Sequence, residues 1–241
     1  MEERRQVEDA IAALMAQRAT LGDAVVDAAV AALREKLAAM GEGAADERKT
    51  VTVVMVDVQG STDLAEHLSV EAWVALMDRL FQVLQAEIYR YGGEVSQFRG
   101  DGLLAFFGAT RAHEDDPQRA ILASLAMQEA IKTHAGELTP GGGIDLRVRI
   151  GVNTGQVIVT QIGDRRRHSE ETAMGRAIAV AARLEAAAEA GTVLVSESAY
   201  TLARPDFEWV PIGPIRAKGI ERPLQAYRPQ RIRSGAAIVQ R

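Results

Sequence analysis

Asp57 and Asp101 are the residues of this chain whose setting could do chemistry. Asp57 closes the apolar run 51–56 and is followed within a few residues by Gly60, Ser61 and Thr62. Asp101 sits between Gly100 and Gly102, at the centre of a tight turn flanked by two further apolar runs. One carboxylate at a strand end and a second in a hairpin are what a two-metal phosphate site requires. Two divalent ions about 4 Å apart must share acidic ligands, and a phosphate must reach bare backbone N–H groups. Gly60, Ser61 and Thr62 open the segment after the first strand, where such N–H groups are offered. An isolated aspartate ending a strand or filling a turn is common; the pair in this context is what points to metal chemistry.

The elements that hold these residues alternate along the chain. The run 51–56 predicts a buried strand. Ser69 can cap a helix reaching Tyr91, with an apolar stripe at Trp73, Leu76, Leu80, Leu84 and Ile88. Segments 94–98 and 103–107 predict a hairpin around Asp101. Asp116 and Pro117 start another helix, the proline in its first turn. Segments 144–152 and 156–162 predict a second hairpin, turning at 153–155. A helix over 175–189, a strand at 193–195 and short strands ending near Pro229 complete the pattern. This order predicts an α+β sandwich, with helices packed on one face of a mainly antiparallel sheet. Ahead of it, Val7, Ile11 and Leu14, then Val26, Val30, Leu33, Leu37 and Met40, recur at helical spacing. Those residues predict a helical hairpin over 4–40. It could pack on its own domain, or serve as a dimerising or signal-input helix.

Composition sets outer bounds. The chain has 241 residues, is 47% hydrophobic and carries a net charge of −5. That length supports one large domain with an appendage. An acidic chain with 5% aromatic residues lacks the basic face and stacking platform of a nucleic-acid binder. There is no cysteine, hence no disulfide, thiolate metal site or thiol nucleophile. No apolar run approaches the roughly 20 residues that span a bilayer. The expectation is a cytoplasmic protein with no membrane insertion.

Five ordered segments resemble the class III nucleotidyl (adenylate/guanylate) cyclase catalytic domain. They are 56–62, 92–102, 149–155, 172–175 leading into 181–185, and 218–219. The resemblance divides the chain into a helical hairpin and linker (1–48), a cyclase-like domain (49–229) and a tail (230–241). It implies a ferredoxin-like core that forms a head-to-tail homodimer, with active sites built from both subunits. The implied reaction converts a nucleoside triphosphate, ATP as the leading candidate, into a 3′,5′-cyclic nucleotide and pyrophosphate. Further signalling domains, attached or separate, are implied partners.

The same resemblance assigns roles. Asp57, Asp101 and the Val58 carbonyl match the family's ligands for two divalent cations, Mg²⁺ or Mn²⁺, which are hard ions suited to oxygen donors. Arg183 matches the arginine that stabilises charge on the transferred phosphate. Gln97 and Thr172 match the positions that read the base, and side chains that both donate and accept fit several bases. Lys218 lies where relatives carry a phosphate-binding lysine, and a plain turn lysine fits that position as well. Two departures stand out. Ala179 replaces the asparagine that orients the ribose four residues before Arg183, and Glu171 stands where a tyrosine is usual. Arg176, seven residues before Arg183 on the same helix face, is a possible substitute donor. These departures give a second reading, a degenerate domain that binds nucleotide and metal as a sensor or dimerisation module.

Overall fold

The computed structural model describes residues 7, 10–15, 26–27, 29–33, 47–135, 145–162, 170–216 and 223–233. The 141–143 loop, Lys218, the 234–241 tail and much of the N-terminal hairpin lie outside the described residues. Two compact units are formed: Met1–Glu47 with Val159–Ala173, and Arg48–Ile158 with Met174–Arg241. In the smaller unit, residues 10–15 and 29–33 are helical, and Val7, Val26 and Val30 are buried, as the apolar stripe predicts.

The elements run β1 (Glu47–Val58), α1 (Ser61–His67), α2 (Val70–Arg90), β2 (Glu94–Arg99), β3 (Gly102–Phe107) and α3 (Asp116–Thr133). They continue with β4 (Val148–Ile162), β5 (Glu170–Met174), α4 (Arg176–Ala187), β6 (Val193–Ser196), α5 (Glu197–Ala203), β7 (Phe207–Ile215) and β8 (Leu224–Ile232). The sheet order is β2-β3-β1-β4-β6-β8-β7, with β5 paired to β4 off that path. β1/β3, β2/β3, β6/β8 and β7/β8 are antiparallel. β4 and β6 are parallel, which requires a crossover, and α4 lies within it. The fold is the α+β, mainly antiparallel architecture expected from the sequence.

Local chemistry explains the main elements. The Ser69 side chain accepts from the Ala72 N–H and caps α2, whose Leu76, Leu80, Leu84 and Ile88 are buried. These side chains join Val54, Val56, Leu103, Phe107, Ile121 and Met127 in the main core. At roughly 25 cal/mol per Å² of apolar surface, burial of this kind is the chief term holding the helices to the sheet.

Three expectations need correction. There is no turn at 153–155: β4 is one continuous strand. Asn153 is buried because its amide donates to the Ala177 carbonyl at 2.9 Å, and Thr154 meets the Thr52 hydroxyl at 2.9 Å. Both polar groups are satisfied within the sheet and by α4, so the chain need not leave the strand there. Helices also cover both faces of the sheet. Val193 and Val195 of β6 face the core with α2 and α3, whereas Leu194 packs with Val180 and Leu184 of α4. Finally, the C-terminal strands are not short. β7 and β8 pair from Phe207↔Ile232 to Ile215↔Leu224, and Pro229 lies inside β8.

Candidate active site

The β1–β3 register brings the two carboxylates together. Asp57 is the cross-strand partner of Gly102, the residue after Asp101. A Cβ on Gly102 would fall 2.3 Å from the Val56 carbonyl oxygen, so only glycine lets the hairpin close this tightly on β1. The buried Ser61 hydroxyl donates to the Asp101 carboxylate. Gly60 adopts φ 72° and starts α1 without a side-chain cap. A Cβ there would meet nothing within 4 Å, so this backbone is open to an approaching group. Thr62 is exposed beside it, and the Gln59 N–H ties the turn to the Arg147 carbonyl at 2.9 Å.

Two charged residues complete the cluster. Arg149 forms an ion pair with Asp57 through Nη2, and the same nitrogen lies 3.2 Å from Glu185 Oε1. Glu185 is pushed up to about 7, first by burial and then by the Asp57 carboxylate, against the pull of Arg149. β4 and α4 set this geometry by matched spacing. Val148, Ile150 and Val152 face the main core, so Arg149, Gly151 and Asn153 face α4. They meet residues four apart on the helix: Arg149 meets Glu185, Gly151 meets Ala181 and Glu185, and Asn153 meets Ala177. Four helical residues rise about 6 Å and two strand residues about 6.6 Å, so the two series stay in step.

The described residues suit hard divalent cations. The donors are carboxylate and backbone oxygens, and no group of three or more His, Cys, Asp or Glu side chains able to hold a metal occurs among the described residues. Mg²⁺ commonly binds through one or two carboxylates plus substrate phosphates and water, which matches such a sparse set.

Gln97 and Arg183 lie outside this cluster. Gln97 is exposed on β2, beside a register shift between Val95 and Gln97. Thr172 lies in β5. Arg183 is exposed on α4 two residues before Glu185, hence about 200° around the helix from the side that meets Asp57's partners. Ala179 and Arg176 share the exposed face with Arg183. Arg176 also borders a cavity of about 530 Å³ lined by Asn153, Ser196, Ser198 and Gln225.

Residues 44–228 match the adenylate and guanylate cyclase catalytic domain. This chain belongs to that family. Adenylate cyclase 1 of Rhizobium meliloti (strain 1021) is 29% identical over 77% of the chain, which covers 28% of that protein. An uncharacterized protein of the same strain is 34% identical over 76% of the chain, which covers 17% of that protein. The chain thus spans less than a third of these curated relatives. The adenylyl cyclase CyaB from P. aeruginosa superposes with a TM-score of 0.73 at 32% identity, covering 78% of this chain and 96% of that one. The guanylyl cyclase Cya2, at 24% identity and TM-score 0.74, covers 82% of this chain and 100% of its own, and shares the fold.

Two residues of this cyclase domain, Arg149 and Glu185, receive no role from the sequence reading, although both lie inside its matching segments. Strand alternation offered a signal: a charged residue between Val148 and Ile150 must face away from their core. Glu185 also makes the metal-free domain sensitive to pH. Below about 4.5 it is protonated whether folded or not, and above about 7 it is ionised in both states. Between these values only the unfolded chain releases the proton, so folding stability falls as pH rises through the window. Glu185→Gln should therefore raise Tm well above pH 7 and leave it unchanged near pH 4.5. Thermal scans at both pH values check this, and a lower Tm on the alkaline side would contradict it.

Among the described residues, no helix is long and apolar enough to cross a membrane.

Proposed function

We propose that this chain is a nucleotidyl cyclase acting on a nucleoside triphosphate, ATP first among the candidates, in a head-to-tail homodimer. The supporting observation is the pairing of Asp57 and Asp101 at the end of β1, with Arg183 turned away from them on α4. One chain thereby presents a carboxylate half-site in one direction and an arginine half-site in another. A two-fold dimer joins unlike halves of this kind.

Asp57, Asp101 and the Val58 carbonyl would hold two Mg²⁺ or Mn²⁺ ions. When bound, these ions acidify the ribose 3′-hydroxyl and neutralise the triphosphate. The backbone of Gly60 to Thr62 receives phosphate oxygens, while the Ser61 hydroxyl stays on Asp101 and fixes its carboxylate. Gln97 and Thr172 contact the base, and Lys218 the phosphates. Arg183 of the partner subunit donates to the α-phosphate as negative charge builds there. The 3′-oxygen forms a bond to the α-phosphorus, the bond to the β-phosphate bridging oxygen breaks, and pyrophosphate leaves with the electron pair. The hydroxyl proton passes to solvent. The identity of the nucleotide is tested by assaying ATP, GTP, CTP and UTP, each with Mg²⁺ and with Mn²⁺.

Ala179 supports the second reading, a nucleotide-binding sensor with little turnover. It is exposed on the Arg183 face and offers no donor to a ribose oxygen. Saturable metal-dependent nucleotide binding without cyclic product would favour that reading. Ala179→Asn should raise turnover about tenfold, the scale of one added hydrogen bond made in the transition state. Steady-state kinetics on the best nucleotide measures this, and an unchanged rate would remove ribose orientation from position 179.

A further inference from the structure

The Arg149 guanidinium is held in an incompletely satisfied arrangement. Nη2 serves both Asp57 and Glu185, while Arg149 Nε is buried without a hydrogen-bond partner. Glu185 Oε1 is likewise buried without a hydrogen bond, its 3.2 Å approach to Nη2 being an ion pair only. Arginine and carboxylate pair best as a fork, with two parallel N–H···O bonds. The present arrangement forgoes that fork because the guanidinium is shared. A second arrangement is available within the same contact. If Asp57 is withdrawn, Nε and Nη2 can both turn to Glu185, and both orphaned atoms gain partners.

We propose that Arg149 is a displaceable counter-ion of Asp57, competing with a divalent cation for the carboxylate, and that Glu185 receives the guanidinium when the cation binds. Arg149 is then a positioning residue. It keeps Asp57 oriented and its charge compensated before the metal arrives. It also sets the metal concentration at which the site fills. Glu185 projects from α4, and α4 is seated on Gly151, where a Cβ would fall 2.1 Å from the Ala181 carbonyl. The receiving carboxylate is therefore fixed and needs no rearrangement of the helix.

The proposal rests on Asp57 being a metal ligand, and the experiment separates the two ideas. Mn²⁺ binding to the nucleotide-free full chain is followed by electron paramagnetic resonance of the free ion. Asp57→Ala should weaken binding strongly; if it does not, the metal assignment fails before the counter-ion is in question. Arg149→Met, which keeps the length and removes the charge, should tighten Mn²⁺ binding on the order of tenfold, because the competitor is gone. Equal or weaker binding by Arg149→Met, with the Asp57→Ala effect intact, overturns the counter-ion role alone. A readout on the native chain covers the case in which Arg149→Met does not fold. The Arg149 Nε–H proton resonance should shift downfield as diamagnetic Mg²⁺ is added and Nε gains its partner. No movement at saturating Mg²⁺ overturns the proposal.

Discussion

Asp57→Ala is expected to lower cyclic nucleotide formation by about 10³-fold or more while the domain stays folded. The magnitude is that of removing a preorganised charge from the reacting centre. Asp57 is positioned by the β1–β3 register to face the Asp101 turn, and the neighbouring carboxylate, Glu185, is engaged by Arg149. A lost carboxylate is therefore not replaced by a neighbour. The fold should survive because the Asp57 side chain is 26% exposed and lies at the end of its strand, outside the apolar core. Its ion-pair partner also retains Glu185. Product formation and a thermal scan are read together. A folded variant within tenfold of native activity would mean that the chemistry does not run through Asp57.

The second large effect is recovery on mixing two dead variants. Arg183→Ala should be as inactive as Asp57→Ala, because the charge on the transferred phosphate loses its donor. If each site takes its carboxylates from one subunit and its arginine from the other, a mixed dimer places both lesions in the same site. The remaining site is intact. Random mixing makes about half the dimers mixed, so about a quarter of native activity should return. The geometric ground is the angle of about 200° on α4 between Glu185, which meets the Asp57 cluster, and Arg183. Absence of any recovery, with subunit exchange verified by sedimentation of tagged chains, would place each site within a single subunit.

The parts of this fold legible in the sequence are those set by local rules. The Ser69 cap, the α2 stripe, the hairpin around Asp101 and the proline-led start of α3 each follow from residue type and spacing. The break expected at 153–155 shows where such rules stop. Asn, Thr and Gly in succession signal a turn, and here they lie mid-strand because Ala177 and Thr52 supply their partners. Gly155 is small for a different reason, since a Cβ there would stand 3.1 Å from that of Ala177. The site divides in the same way. Asp57, Gly60, Ser61 and Asp101 could be read because each sits in its own local signature. Arg149 and Glu185 depend on a contact between residues 36 positions apart, which no local pattern encodes. The placement of α4 opposite α2 and α3 was hidden for the same reason, since the face a helix covers depends on tertiary packing.

The meshing of β4 with α4 has a mechanical consequence. Gly151 seats the helix so closely, and Arg149 and Asn153 hold it at so regular an interval, that α4 cannot slide along β4 without breaking three contacts at once. Such meshing would make strand and helix travel as a single lever. That lever bears Glu185, which meets the arginine paired with its own Asp57, and Arg183, which in the proposed dimer would serve the neighbouring subunit. An input that tilts it moves both together. In the proposed dimer, a movement of this one piece would reach a subunit's own carboxylates and its partner's phosphate donor together.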